Sequence, residues 1–221
     1  MAQEIEIKLR ISDPKALTRR LKRLGARPVG GGSGRVHELN VIFDTPDGGL
    51  AKHGQLLRIR TETPEAKSER SKPATGQRAL LTFKRPPGER ASASGSAEEN
   101  HRYKVREEIE VEVADARVLT VIFEGLGMRG WFRYEKYRTT FQLPASAKWA
   151  KGLLIDLDET PIGTFVELEG PPLAIDRAAQ ELGYSRRDYV LKNYLVLYVE
   201  ECRRQGREPK DMVFAAKKPS R

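Results

Sequence analysis

Near the start of the chain stands Glu4-Ile5-Glu6-Ile7-Lys8-Leu9-Arg10-Ile11, in which charged and apolar residues alternate without a break. Because a β-strand points successive side chains to opposite faces, this pattern predicts one aliphatic face and one ionic face. Charged neighbours in the ionic row are about 7 Å apart, a spacing that suits a metal ion and a polyanion bound side by side. The same pattern is typical of a strand whose charged face meets water, so the rest of the chain has to decide between the two.

Size and composition predict one domain with an excess of positive charge. The chain has 221 residues, of which 38% are hydrophobic and 32% charged, and its formal net charge is +9. This charge favours an acidic partner, such as a nucleic acid, an anionic membrane or a phosphorylated small molecule. We expect a folded domain over residues 1–204 and a basic, disordered tail over residues 205–221.

Several kinds of protein are excluded by residues that are rare or absent. Cys202 is the only cysteine, which excludes an internal disulfide framework and a thiolate-rich metal site. No apolar run approaches the roughly 18 residues of a membrane span, and the early charged strand leaves no room for a signal peptide. His37, His53 and His101 lack the spacing of a zinc site, so a metal ion would need oxygen ligands. We therefore predict a cytoplasmic protein without membrane contact.

Alternating and helical patterns continue along the chain as strands with helices between them. Further strands are predicted at about residues 36–44, 55–62, 78–85, 103–113, 131–143, 153–158 and 163–169. Helices are predicted over residues 14–25, 115–126, 173–182 and 188–204. The polar segments 63–76 and 86–100 are predicted to be long, mobile hairpin loops.

The charged faces of these strands contain acids and bases in similar numbers. The acids are Glu4, Glu6, Glu108, Glu110, Asp158, Glu167 and Glu169. The bases are Lys8, Arg58, Arg60, Lys84, Arg106, Lys136 and Arg138. Each row taken alone is compatible with an open sheet that has one face in water. Across six or more strands we instead predict closure into a barrel, which removes the sheet edges and gathers the charges in one lumen.

This mixture of charges suits the chemistry of linked phosphates. Arginines bind phosphate oxygens bidentately, lysines act as point charges, and carboxylates hold Mg²⁺ or Mn²⁺, which bridges to phosphate oxygens. Cationic groups and the metal then stabilise the charge that develops at the reacting phosphorus. The Gly-rich segment 30–34 has neither the lysine nor the spacing of a P-loop, so side chains have to bind the phosphates.

The segment Glu4-Ile5-Glu6-Ile7-Lys8 resembles the ExExK signature of the CYTH superfamily, the triphosphate tunnel metalloenzymes. The likeness continues in chain order through residues 43–47, 57–60, 81–85, 106–108, 136–138, 157–159 and 163–169, and so spans about residues 4–200. The resemblance implies an α+β fold, an eight-stranded antiparallel β-barrel that forms a tunnel, with helices packed outside. It also implies an enzyme that binds a small-molecule triphosphate with Mg²⁺ or Mn²⁺ in that tunnel.

The resemblance, together with the charged rows, assigns roles to individual residues. Metal ligands are expected at Glu4, Glu6, Glu108, Glu110, Asp158, Glu167 and Glu169. Phosphate ligands are expected at Lys8, Arg58, Arg60, Lys84, Arg106, Lys136 and Arg138. Among these residues we expect Lys8, Glu6 and Asp158 to be catalytic.

The function predicted first is a metal-dependent triphosphatase that hydrolyses inorganic triphosphate, thiamine triphosphate or a nucleoside triphosphate. The alternative is a class IV adenylate cyclase, which converts ATP to cyclic AMP and pyrophosphate. The His-Phe segment that precedes the motif in several cyclase members is not found ahead of Glu4, and this favours the triphosphatase. A third hypothesis is a binding module for polyphosphate or nucleic acid, but only charge supports it, so a nucleic-acid partner is not expected. A homodimer is expected by analogy.

Overall fold

Eight long antiparallel strands form one closed sheet. The computed structural model describes residues 2–29, 33–65, 76–88 and 102–215. The strands are β1 (Ala2–Ile11), β3 (Arg35–Asp44), β4 (Leu56–Pro64), β5 (Arg78–Arg85), β6 (Lys104–Val113), β7 (Arg129–Gln142), β8 (Leu154–Thr160) and β9 (Gly163–Glu169). Their order around the barrel is β1-β6-β5-β4-β3-β7-β8-β9, and β9 pairs with β1 to close it. The two-residue strands β2 (Arg27–Pro28) and β10 (Tyr189–Val190) pair with β7 and β1.

Five α-helices are described beside these strands. They are α1 (Pro14–Arg23), α2 (Gly49–Lys52), α3 (Ala116–Gly125), α4 (Pro172–Glu181) and α5 (Tyr194–Arg204), with 3-10 helices at Lys148–Ala150 and Arg186–Asp188. The Asp13 carboxylate caps α1 by accepting a hydrogen bond from the backbone N–H of Ala16 at 2.9 Å. Asp115 caps α3 in the same way, through the N–H of Arg117 at 2.7 Å. These caps satisfy helix donors that would otherwise lack partners.

The aliphatic face of β1 lies in the main core, on the outer side of the barrel. Ile7, Leu9 and Ile11 are buried in one cluster with Leu17 and Leu21 of α1. The apolar side of α4 and the outward side chains of β8 and β9 complete this cluster. Each fully buried Leu or Ile contributes about 1.5–3 kcal/mol, so the alternation of the first strand fixes which face points outward.

A second, smaller core lies under α3. Phe123 of α3 packs against Phe43 of β3 and Ile59 of β4, and the two phenylalanine rings meet edge to face with centroids 5.2 Å apart. This contact holds α3 on the outer surface of the barrel. The predicted eight-stranded barrel with helices outside is therefore confirmed.

Helix α5 lies across the end of the barrel interior where the inward side chains are apolar. Tyr194 and Tyr198 of α5 share a buried cluster with Phe132 of β7 and Phe165 of β9. Met212 joins this cluster, and its backbone bonds to β7 through the carbonyl of Arg133 and the N–H of Glu135, both at 2.9 Å. The segment up to residue 215 is thus packed against the barrel, in contrast to the disorder expected from residue 205 onward.

The predicted long strands and helices agree with the structure except near the last helix, whereas the short elements β2, α2 and the 3-10 helix Lys148–Ala150 were not predicted. We expected a helix over residues 188–204, but α5 begins only at Tyr194. Asn193 is its cap and accepts a hydrogen bond from the N–H of Val196 at 2.9 Å. The residues before it form a 3-10 turn and β10, whose pairing with β1 competes with a longer helix. Most of the two predicted long loops, residues 66–75 and 89–101, lies outside the described residues. None of the helices in the described ranges is long and apolar enough to cross a membrane.

Candidate active site

The interior of the barrel contains a cavity of about 870 Å³, a volume typical of small-molecule sites. Its lining includes eight carboxylates and eight basic side chains. The carboxylates are Glu4, Glu6, Asp44, Glu108, Glu110, Asp156, Glu167 and Glu169. The basic residues are Lys8, Arg58, Arg60, Lys84, Lys104, Arg106, Lys136 and Arg138. Within the described residues, the formal charges of the lining therefore balance, although the whole chain carries +9.

Three of the carboxylates, Glu4, Asp156 and Glu169, form what we call the acidic cluster. Burial and the neighbouring Glu4 carboxylate raise the pKa of Glu169 to about 7. Burial also raises the pKa of Glu4, although the Lys84 ammonium bonds to both of its oxygens at 2.7 Å. The pKa of Asp156 is raised by burial too, against the attraction of Arg138. In this cluster, negative charge exceeds what the neighbouring cations neutralise.

Lys8 connects two further carboxylates across β1 and β9. Its ammonium lies 3.1 Å from Glu6 Oε1 and 3.1 Å from Glu167 Oε1, because Glu167 is its register partner on β9. Burial opposes the charge of Lys8, but Glu167 and Glu6 outweigh it and raise the pKa of Lys8. Lys104 also contacts Glu6. Against the effect of burial, Lys8 and Lys104 together lower the pKa of Glu6 to about 2. Lys8 therefore stays a cation and is unsuited to act as a base.

Asp158 lies behind the lining and orients two of the basic residues. Its side chain is 0% exposed. It accepts hydrogen bonds from Lys136 Nζ at 2.9 Å, from Arg138 Nε at 2.7 Å and from the Tyr194 hydroxyl at 2.7 Å. Glu38 lies on the other side of the same cations, 3.4 Å from Lys136 Nζ. Burial opposes ionisation of Glu38, yet Lys136, Arg138 and Arg60 lower its pKa to about 2.

Arg58 and Arg60 project from β4 into the interior and are only partly satisfied. Arg60 Nη2 lies 2.8 Å from Glu110 Oε2. Arg58 donates to the Tyr134 hydroxyl at 3.1 Å and to Thr82 Oγ1 at 3.2 Å, but its buried Nε has no hydrogen-bond partner. Both polar side-chain atoms of the buried Asn40 also lack partners. Because buried polar groups are nearly always paired in proteins, these atoms indicate an interior that is completed by a ligand or by water.

A model of the CYTH domain matches residues 2–194, nearly the whole chain. The chain belongs to the CYTH domain family. It is also 26% identical over 207 residues to a Methanocaldococcus jannaschii protein that is provisionally named an adenylate cyclase, with 88% of this chain and 97% of that protein covered. The CYTH family contains enzymes, and an enzymatic function follows for this chain at that level.

Solved structures support the CYTH fold. A Vibrio parahaemolyticus protein, provisionally named an adenylate cyclase, superposes with a TM-score of 0.63 at 17% identity, covering 86% of this chain and 94% of that one. The PH1819 protein of Pyrococcus horikoshii gives 0.63 at 21% identity, with 90% and 99% covered. A Hippeastrum protein, provisionally named an adenylyl cyclase and described as having a dominant triphosphatase activity, gives 0.51 at 22% identity, with 93% and 97% covered.

The CYTH barrel brings nearly all of the predicted site residues together. Every residue that we expected to bind metal or phosphate lines the cavity except Asp158. Lys84 lies between Glu4 and Glu108, with its ammonium 3.2 Å from Glu108 Oε2. Arg106 is at the rim and donates to the carbonyl of Gly54 at 2.6 Å. The predicted catalytic residues Lys8 and Glu6 lie side by side in the lining, whereas the third, Asp158, is separated from the cavity by the cations it holds.

Five polar residues of the interior were missed, although most of them had a signal in the sequence. Asp44 lines the cavity and stands in segment 43–47, which resembles the CYTH superfamily, but no role was assigned to it. Asp156 shares its strand face with Asp158, and Lys104 shares its face with Arg106 and the acids of β6. Glu38 lies two residues from Asn40 on the inward row of β3. This row contains one charged residue and ends in the apolar Ile42, so its pattern did not indicate a charged inward face. Nothing in the sequence marked Asn40, because a single amide carries no charge pattern.

The CYTH acidic cluster fits a hard divalent cation by the chemistry of its donors. Carboxylate oxygens are the preferred protein ligands of Mg²⁺ and Mn²⁺, and a bound cation would relieve the repulsion that raises the pKa of Glu169. No three Asp, Glu, His or Cys side chains in the described residues converge as a preformed metal site. In proteins, Mg²⁺ is commonly held by one or two carboxylates together with the phosphates of the substrate.

Proposed function

We propose that this CYTH protein is a divalent-metal-dependent triphosphatase. In the reaction, a water oxygen forms a bond to the terminal phosphorus and the bridging P–O bond breaks. The products are orthophosphate and the shortened phosphate chain. Inorganic triphosphate, thiamine triphosphate and nucleoside triphosphates are the candidate substrates.

The charge balance of the cavity is the observation that carries the proposal. Eight basic side chains are gathered there, yet eight lining carboxylates neutralise them, and Glu38 and Asp158 add further negative charge behind the lining. A triphosphate brings several more negative charges. Because uncompensated charge is costly in a buried site, the ligand has to arrive with additional cations. A cavity that combines many basic side chains, able to bind phosphate oxygens, with at least as many carboxylates matches a metal–triphosphate complex.

The proposed roles follow from the way each group is held. Lys136 and Arg138 are fixed by Asp158 and Glu38, so they form a rigid clamp for phosphate oxygens. Arg58, with its unpartnered Nε, supplies a further donor. Lys8 keeps its positive charge throughout and would stabilise charge that develops at the reacting phosphorus. Asp158 itself acts by positioning these cations.

The acidic cluster of Glu4, Asp156 and Glu169 is the proposed position of the metal, with Glu6 and Glu167 beside it. Glu108 and Glu110 line the same cavity and are candidates for a second ion. When bound, Mg²⁺ or Mn²⁺ would neutralise phosphate charge and polarise the phosphate oxygens. The chain itself contributes the placement of the carboxylates and the exclusion of bulk water by the closed barrel.

Product identification tests this proposal directly. The full chain is incubated with Mg²⁺ or Mn²⁺ and, separately, with tripolyphosphate, thiamine triphosphate and ATP, and products are followed by phosphorus NMR. We expect orthophosphate from at least one substrate, and none after EDTA is added. If no substrate releases orthophosphate with either metal, the proposal is wrong.

The second candidate is an adenylate cyclase, in which the ribose 3′-hydroxyl attacks the α-phosphorus of ATP and pyrophosphate leaves. The similarity to the Methanocaldococcus jannaschii protein favours it. So does an apolar part of the cavity lining, which includes Leu56, Leu195 and the half-exposed Trp131. A β-bulge in the pairing of β3 with β7 leaves Trp131 without a register partner and turns it toward the cavity. Cyclic AMP and pyrophosphate without orthophosphate would identify this reaction.

The proposed location of the protein is the cytoplasm, and its proposed partner is a small-molecule triphosphate. Cys202 is a free, buried thiol, as expected for a reducing compartment. The balanced charge of the lining leaves the excess of basic residues on other surfaces of the chain.

A further inference from the structure

Helix α3 is apolar on both of its sides. Its inner side buries Phe123 in the core under the helix. On its outer face, Val118, Val121, Ile122 and Leu126 are 50–73% exposed. The first three have the i, i+3, i+4 spacing of one helix stripe, and Gly125 continues that stripe at i+7. A helix that is apolar all round is normally buried on all sides, so the outer face of α3 lacks a partner in the described chain.

Apolar side chains are also exposed on β6. Val111 points outward, Ile109 borders the cavity, and both are about half exposed. Val111 is the register partner of Leu81, and Leu81 packs against the core under α3. The outer face of α3 itself presents four large apolar side chains. Contiguous apolar surfaces of this kind are uncommon on monomeric proteins and mark sites of association.

No other part of this chain has the composition to cover that surface. Outside the described residues stand Met1, a single side chain too small to cover this surface, and the segments 30–32, 66–75, 89–101 and 216–221. These segments contain only Gly, Ala, Pro, Thr, His and charged or polar residues. None of them contains Val, Ile, Leu, Phe, Tyr, Trp or Met. The occupant is therefore a different molecule.

The charges beside the stripe show which molecule fits. Arg117 and Glu124 are seven residues apart and so lie on the same flank of α3. Both are exposed, and neither makes an ion pair with another described residue. When two copies of one helix pack antiparallel across a twofold axis, the same flank of each helix faces that flank of the other helix. Arg117 of each copy then faces Glu124 of the other, which gives two ion pairs from one sequence.

We propose that the outer face of α3 is the contact surface of a homodimer, in which α3 packs antiparallel against α3 of a second copy. Such an isologous contact uses each residue twice and closes after two subunits. It buries the central Val121 and Ile122 of both copies and leaves Arg117 and Glu124 at the rim. Because this surface lies outside the barrel, the proposal is independent of the reaction in the cavity.

The first test breaks the apolar stripe. Sedimentation velocity of the full chain should show a dimer, and Ile122→Glu should weaken the dimer at least about 100-fold by placing two carboxylates at the centre of the contact. The matched control is Leu173→Glu on α4, since Leu173 is 84% exposed and lies on another surface. This control should remain dimeric. Circular dichroism melts check that both variants stay folded. A monomeric wild-type chain, or a dimer that survives Ile122→Glu, overturns the proposal.

The second test examines the antiparallel arrangement by charge reversal. Arg117→Glu alone and Glu124→Arg alone should each raise the dissociation constant of the dimer about tenfold, since each turns two attractions into two repulsions. Combining both substitutions should restore the wild-type constant, because the pairs form again with reversed signs. If the double variant is no tighter than the single ones, the antiparallel pairing is wrong. Binding of the apolar face to lipid vesicles in place of dimerisation would also overturn the proposal.

Discussion

Two groups of buried carboxylates in the same barrel differ in how their charge is compensated. Asp158 and Glu38 lie between Lys136 and Arg138, and the pKa of Glu38 is lowered to about 2. In the acidic cluster, by contrast, burial and the nearby Glu4 carboxylate raise the pKa of Glu169 to about 7. Both groups sit on inward faces of neighbouring strands. What separates them is the number of cationic donors within reach.

This difference separates positioning from ligand binding. Carboxylates surrounded by cations are already part of an ionic network, and removing one leaves buried positive charge uncompensated. Carboxylates that repel one another lack enough neighbouring positive charge, and a metal ion can supply it. Neutralising the cation-bound carboxylates should therefore cost more stability than neutralising those of the acidic cluster.

The largest effect is expected from removing two charges of the acidic cluster. The double substitution Glu4→Gln and Glu169→Gln should reduce phosphate release with Mg²⁺ by roughly 1000-fold, because metal and cationic stabilisation of the transition state is lost. In EDTA the same variant should melt no lower than the wild type, since two repelling carboxylates are gone. Mg²⁺ should also raise the melting temperature of the wild type but not of the variant. Activity within threefold of the wild type would contradict the assignment of the metal site.

Neutralising Asp158, which Lys136 and Arg138 hold, should instead destabilise the protein. Asp158→Asn should lower the free energy of unfolding by roughly 3–5 kcal/mol, because Lys136 and Arg138 lose a buried counter-charge. The matched control is Asp156→Asn, two residues away on β8. The pKa of Asp156 is raised in the folded state, although Arg138 lies 2.8 Å from its Oδ2. Because, among the described residues, Asp156 has one cationic partner and Asp158 has two, this control should lose clearly less stability than Asp158→Asn. Urea titrations at pH 7 measure both. Equal losses in the two variants would remove the distinction between the groups.

The pH dependence of stability tests Glu38. Its pKa is lower in the folded chain than its ordinary value of 4.5, so its ionisation stabilises the fold above that value and the gain is lost as pH falls toward 2. We expect Glu38→Gln to cost about 3 kcal/mol at pH 7 and roughly half as much at pH 3. Urea unfolding of both proteins at the two values provides the check. A cost that does not change with pH would mean that the cations do not hold Glu38 ionised.

The smallest effect is expected at Tyr194, whose hydroxyl donates to Asp158 at 2.7 Å. Tyr194→Phe keeps the ring contacts with Tyr134 and Phe165 and removes only this donor. We expect a loss of about 1 kcal/mol in the free energy of unfolding. In the Asp158→Asn background the same substitution should cost less, because the two groups share one network. A full, additive loss in that background would show that the hydroxyl acts elsewhere.

The strands, their inward faces and most of the site could be predicted from the order of the residues alone. The unbroken alternation from Glu4 to Ile11 left one way to bury the aliphatic row, and the acid and base rows of later strands indicated one lumen. These signals are local, since the side-chain period of a strand is read from consecutive residues. The residues that carry them are the ones that line the cavity, with Asp156 and Lys104 as members of rows already identified.

The pairing of the charges could be read only from the folded barrel. Asp158 and Asp156 stand two residues apart in one acidic row, but Asp158 is held by Lys136, Arg138 and Tyr194. Asp156 contacts only one of these cations, Arg138 at 2.8 Å, and it helps to raise the pKa of Glu169. The start of α5 and the burial of Met212 could likewise not be predicted from the sequence, because they depend on pairing with distant strands. A carboxylate becomes a structural anchor or a metal ligand through neighbours that are far apart in sequence. The chain specifies those neighbours only when the barrel closes.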